Sequence, residues 1–130
     1  PVCSPVLLSG DPPLQSPADL SRHILLHASA RADDWSGWLS RAGVPDLEPR
    51  RRLTLENTNF ALAAAMKGIG VAISDRHIVG EDLQFGRLVA PFTQTMNHDS
   101  GYYLVYPSSR VDQPKIRLFR DWLLSAIEPC

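Results

Sequence analysis

Only two cysteines occur in the 130 residues, Cys3 and Cys130, at opposite ends of the chain. A disulfide needs Cα atoms within about 7 Å. With no secretion signal to imply an oxidising compartment, two free thiols are expected. Charge of one sign is also missing: the formal net charge is −1. Phosphate neutralisation supplies much of a nucleic-acid binder's affinity, so this balance gives no reason to expect a polyanion partner. No apolar run reaches the roughly 18 residues of a membrane helix. The single dense basic run, Pro49-Arg50-Arg51-Arg52, is expected to be a solvated loop. Catalytic signatures are absent too, with no nucleophile elbow, phosphate-binding loop, or paired-Cys or paired-His metal motif. Neither an enzyme, a cofactor nor a metal is therefore expected. His23 and His27 stand four apart, but Ile24-Leu25-Leu26 between them reads as a strand, which holds the rings about 13 Å apart. His77 and His98 fall in expected loops.

What is present is an ordinary globular composition, 44% hydrophobic and 21% charged, enough for one domain or one lobe of something larger. The most informative stretch runs from Leu53 to Ile73. Leu53 and Leu55 alternate with Thr54 and Glu56 as in a short strand. Asn57 and Thr58 place side-chain oxygens at a helix start, where the first N–H groups lack partners. Leu62, Ala65, Met66 and Ile69 then recur at helical spacing. Gly68 supplies the left-handed stop, and Gly70-Val71-Ala72-Ile73 a second, buried strand. Such a strand–helix–strand unit leaves a helix N-terminus above the carboxyl edge of the sheet, where open α/β folds bind small ligands. Gly68-x-Gly70 follows a helix and precedes a strand, the reverse of a dinucleotide-binding turn.

Elsewhere, Val2–Leu8 reads as a strand entering a loop, and Ser16-Pro17-Ala18-Asp19 as a helix start. Ile24–His27 reads as a strand. Asp33 or Asp34 is expected to cap a helix with the apolar stripe Trp35, Trp38, Leu39 and Ala42, ended by Gly43. Glu81–Val89 reads as a turn followed by a strand, and Gly101–Pro107 as a strand rich in aromatic and β-branched residues. Asp112-Gln113-Pro114 opens a helix with Ile116, Phe119, Leu123 and Ile127 on one face. Trp35, Trp38 and Trp122 stand at core spacing. Alternating strands and helices predict an α/β fold with a mixed sheet.

With these segments in place, the chain resembles the C-terminal part of a LysR-type transcriptional regulator, in the branch of glycine-cleavage and β-lactamase regulators. The match rests on Pro1-Val-Cys-Ser-Pro5, Pro13-Leu14, Pro17-x-Asp19-Leu20, Leu25-Leu26-His27 and Asp34-Trp35-x-x-Trp38-Leu39-x-x-Ala42-Gly43. It continues through Ala61–Ile73, Glu81-Asp82-Leu83-x-x-Gly86-Arg87-Leu88-Val89-x-Pro91-Phe92, Gly101–Val105 and Lys115-x-x-x-Phe119-Arg120-x-Trp122-Leu123. The resemblance implies the second lobe of a type 2 periplasmic-binding-protein-like domain, with a mixed sheet and helices on both faces. Residues 1–107 would form this effector-binding lobe with a return crossover strand at Tyr102–Val105. Residues 108–130 would form a C-terminal helix packing on the first lobe. The chain would then lack the N-terminal helix-turn-helix and most of lobe one, so DNA is expected only through that missing domain.

The resemblance further implies a small-molecule effector, a homo-oligomer in the full-length protein, a cytoplasmic location and no membrane. The effector-binding positions it assigns are Asn57 and Thr58 at the helix start, Tyr102 and Tyr103 beside the hinge, and Ser4 where the first crossover strand enters. For Asn57 and Thr58 the plainer reading is helix capping. For the tyrosines, strand alternation sends one ring to each face, so one is expected in the core. The alternative function is a lobe of a transporter's solute-binding protein, which shares the fold. The chain starts at Pro1 without an initiator Met and reads as a piece of a longer polypeptide. Its C-terminal helix, if deprived of lobe one, is expected to associate with a partner copy or to lose order.

Overall fold

A computed structural model describes residues 1–97 and 101–127. The chain divides into two compact units, Pro1–Met96 and Asn97–Cys130. His98 and Cys130, singled out above, lie outside the described residues.

The first unit is built on three strands, β1 (Ile24–Ala28), β2 (Arg51–Leu55) and β3 (Val71–Ala72), in the order β2-β1-β3. Both pairings are parallel, with Leu26 opposite Leu53 on one side and Ala72 on the other. Antiparallel pairing among the described residues is confined to two isolated bridges, Val2 with Ala72 and Cys3 with Val89. The expected mixed sheet is thus a parallel ladder with an antiparallel fringe.

Between the strands come α1 (Asp34–Arg41) and α2 (Thr58–Met66), and after β3 the short α3 (Gly80–Gln84). Side chains alternate across β1, and the two helices take opposite faces. Leu25 and Val71 join Trp35, Trp38 and Leu39 of α1 in one core cluster. Leu26 and Ala72 join Ala61, Leu62, Ala64 and Ala65 of α2 in the other. Leu25, Leu26 and Trp38 are each 1% exposed, so each aliphatic side chain gains about 1.5–3 kcal/mol from burial. The alanine-rich inner face of α2 lets its backbone approach the sheet closely. On the other face, the Trp35 indole N–H donates to the Leu26 carbonyl at 2.9 Å, and that of Trp38 to the Gln94 carbonyl at 3.0 Å.

Helix ends follow local chemistry. Gly43 (φ +78°) and Gly68 (φ +73°) take the left-handed conformation just past α1 and α2. Gly70 is required for another reason: a Cβ there would stand 2.3 Å from the Ile24 carbonyl oxygen, where β3 enters alongside β1. The Asp19 carboxylate accepts from the backbone N–H groups of Gln15 (3.1 Å) and Ser16 (2.8 Å) at the head of a 3-10 turn, Pro17–Arg22.

Several expectations are corrected. Asp33 precedes α1 but its side chain caps nothing. Arg51 and Arg52 begin β2 rather than a loop, because their backbone pairs with Ile24 and Leu25 while their side chains stay exposed. Glu81–Gln84 is helical rather than a turn, and Val89 contributes one bridge rather than a strand.

In the second unit, residues 101–107 belong to no strand. β-propensity is present, but a strand exists only where backbone groups find a ladder partner. The unit's helix α4 (Pro114–Ala126) begins where Pro114 predicts, and it buries no residue. Trp122, expected in the core, is 60% exposed, and Phe119, Leu118, Leu124 and Ile127 are exposed beside it. Among the described residues no helix is long and apolar enough to cross a membrane.

Candidate functional site

The chain leaves β1 toward α1 on one face of the sheet and leaves β2 toward α2 on the other. In the order β2-β1-β3 the topological switch point lies at the carboxyl ends of β1 and β3, whose connections depart to opposite faces. Asn57 and Thr58 stand on the same carboxyl edge of the sheet, directly after β2. Asn57 is the N-cap of α2, with extended backbone (φ −149°, ψ 173°), and its side-chain oxygen accepts from the Phe60 N–H at 3.1 Å. Thr58 opens the helix, and its hydroxyl makes no hydrogen bond among the described residues, which leaves it for another partner. Asn57 is exposed and Thr58 half-buried. The N–H groups of Thr58 and Asn59 have no intrahelical acceptor, as at any helix start, and they carry the positive end of the helix dipole.

Loops from all three strands are tied together at this edge. After β1, the Ser29 hydroxyl donates to the Glu56 carbonyl at 2.7 Å, directly before the Asn57 cap. Two residues on, the Arg31 guanidinium donates to Asp34 at 2.6 Å and to Asp75, beyond β3, at 2.8 Å. The hydrogen bond to Asp75, followed by that to Asp34, holds the Arg31 pKa above its ordinary value against the opposing effect of burial. Arg31 is committed to these two acids. Beside them the Ser74 Oγ is buried and meets no partner among the described residues.

The positions assigned by resemblance do not all gather here. Ser4 is buried, and its backbone N–H donates to the Ala65 carbonyl at 3.1 Å, near the last turn of α2. At ~1.5 Å per residue, the helix carries Ser4 about 10 Å from the mouth occupied by Thr58. Tyr102 and Tyr103 belong to the second unit and are 84% and 79% exposed, so neither ring is the core residue that strand alternation predicts. Ser29, Arg31 and Asp75 were not singled out in the sequence. The Arg31-x-x-Asp34 spacing is visible there, but the bond to Asp75 joins positions 44 apart and leaves no local trace. Among the described residues no cluster of three or more His, Cys, Asp or Glu is arranged for a metal.

The LysR substrate binding domain family matches residues 1–128. The glycine cleavage system transcriptional activator of Escherichia coli strain K12 is 35% identical over 125 residues, covering 96% of this chain and 41% of that protein. The transcriptional activator AmpR of Pseudomonas aeruginosa is 38% identical over 112 residues, 85% of this chain and 37% of that protein. The crystal structure of the AmpR effector domain from Pseudomonas aeruginosa superposes with a TM-score of 0.78 at 32% identity, covering 95% of this chain and 58% of that one. This chain thus spans about two fifths of the length of the curated relatives it matches. These relatives are transcriptional regulators, not enzymes. With its α/β sheet and its two helix-covered faces, the chain belongs to the LysR substrate binding domain family.

Proposed function

We propose that this chain is the effector-sensing part of a bacterial DNA-binding transcriptional regulator, and that a small metabolite docks at the mouth of α2. One observation carries this: the carboxyl edge of the β2-β1-β3 sheet holds a capped helix N-terminus whose Thr58 hydroxyl and first N–H groups are uncommitted among the described residues. That arrangement favours a ligand carboxylate or amide. Asn57 and Thr58 are its contacts in this unit, while Tyr102 and Tyr103 enter the proposal through the family resemblance alone.

In this reading the chain is most of lobe two of a type 2 periplasmic-binding-protein-like domain, and α4 packs on the lobe-one segment that the longer relatives carry. The exposed apolar side of α4, with Leu118, Phe119 and Trp122, supports that placement. The metabolite shifts the balance between two inter-lobe arrangements by its differential affinity for them. DNA is reached through a separate N-terminal domain, the full-length protein is a cytoplasmic homo-oligomer, and no cofactor takes part.

A thermal-shift panel of amino acids and small carboxylic acids on the complete effector domain tests this. A compound that stabilises the wild type should lose most of its shift in Thr58→Ala. Equal stabilisation of both proteins removes Thr58 from the site.

A further inference from the structure

The last rung of the β1–β2 ladder pairs Ala28 with Leu55. The next residues, Ser29 and Glu56, would form the following rung, but there the chain turns away on both sides. In its place the Ser29 hydroxyl donates to the Glu56 carbonyl at 2.7 Å. Glu56 is followed directly by Asn57, whose side chain must reach the Phe60 N–H to start α2. The other end of the same turn is fixed, because Arg31 is bonded to Asp34 at the start of α1 and to Asp75 beyond β3.

We infer that the turn Ser29–Arg31 positions the α2 mouth: the Ser29 hydroxyl sets the Glu56–Asn57 backbone, and the Arg31–Asp75 link anchors that hydroxyl to the third strand. Neither residue needs to touch the effector. Their role is to hold the capped helix start in one place relative to the ends of β1 and β3, so the regulator meets its ligand with a site already formed. This rests on the docking site proposed above, although its test needs no effector.

Amide hydrogen exchange on this chain, read residue by residue by NMR, gives the outcome. In Ser29→Ala the Phe60 and Ala61 N–H groups should exchange about fivefold faster, the scale of one ordinary hydrogen bond. The Ala42 N–H, bonded to the Trp38 carbonyl in α1, should be unchanged. Ser29→Thr, which keeps the hydroxyl, should restore protection, and Asp75→Asn should produce a smaller acceleration of about twofold at the same amides. Unchanged exchange at Phe60 and Ala61 in Ser29→Ala, or equal acceleration at Ala42, overturns the inference. Failure of Thr58→Ala to alter ligand shifts would instead remove the docking site and leave this exchange result standing.

Discussion

Gly70 and the carbonyl of Ile24 are in such close apposition that any Cβ at position 70 would stand 2.3 Å from that oxygen. The obstacle is backbone, and it lies where β3 joins the central strand, so no side-chain rotation relieves it. Gly70→Ala should therefore destabilise the first unit by about 1–3 kcal/mol or more, as overpacking of a tight interior does. Gly43→Ala is the control: nothing lies within 4 Å of its Cβ position, and only the left-handed backbone (φ +78°) opposes the substitution, at about 1 kcal/mol. Urea unfolding of the two variants gives the ranking.

Trp35→Phe removes the donor to the Leu26 carbonyl while keeping an aromatic ring against the sheet. The bond is buried, so loss of the donor should cost about 1–3 kcal/mol. A denaturant midpoint equal to the wild type would mean that the Leu26 carbonyl finds another donor.

Asn57 and Thr58 separate structure from sensing. Asn57→Ala deletes the cap on Phe60 and should cost about 1 kcal/mol. Thr58→Ala removes no cap and should change stability by less than about 0.5 kcal/mol. Thermal unfolding without ligand distinguishes them, and a Thr58→Ala loss matching that of Asn57→Ala would give Thr58 a structural role.

His27 sets a pH dependence. Its ring packs 6.4 Å from that of Trp35 (centroid to centroid), and its Nε2 is buried and meets no partner among the described residues. Desolvation, and secondarily the charge of Arg52, hold its pKa below the ordinary 6.5. The unfolded chain takes up this proton first as pH falls, so the stabilising contribution is complete above pH 6.5 and declines below it. His27→Gln should flatten the decline below pH 6.5, measured by urea unfolding. A second decline belongs to Asp19, whose carboxylate is held below its ordinary 3.8 chiefly by the Ser16 backbone and side chain, with Arg22 adding to them. That contribution is present above about pH 3.8 and is lost as the pH falls through the depressed value.

Cys3 is fully buried, and desolvation pushes its thiol up to about 11. In a Cys130→Ser background, native protein at pH 7.5 should resist alkylation, and denatured protein should label fully. Mass spectrometry of the adducts reads this directly.

The elements legible in the sequence are those fixed by neighbours within a few residues. Asn57 as cap, Gly43 and Gly68 as stops, Pro114 as the opening of α4, and Ile24–His27 as a strand all depend on local geometry. The five-residue α3 is too short for a helical period to register. At 101–107, Tyr, Leu and Val announce a strand, but pairing is a property of two segments and residue type supplies only one. Trp122 shows the same limit from the side of packing: helical spacing marks an apolar face, not the surface that covers it. At the candidate site, Asn57 and Thr58 were readable because a helix start has its own residue chemistry. Ser29, Arg31 and Asp75 were not, because their bonds span 27 and 44 positions.

The N-terminal residues close the sheet that later residues build. Val2 exchanges two backbone hydrogen bonds with Ala72, at 2.7 and 2.9 Å, and Cys3 does the same with Val89, at 3.0 and 2.8 Å. During synthesis Val2 and Cys3 would therefore stay unmatched until Val89 has emerged from the ribosome, with the central strand waiting on both flanks. The first unit matures late and all together, and any truncation before Val89 takes away the partner of Cys3.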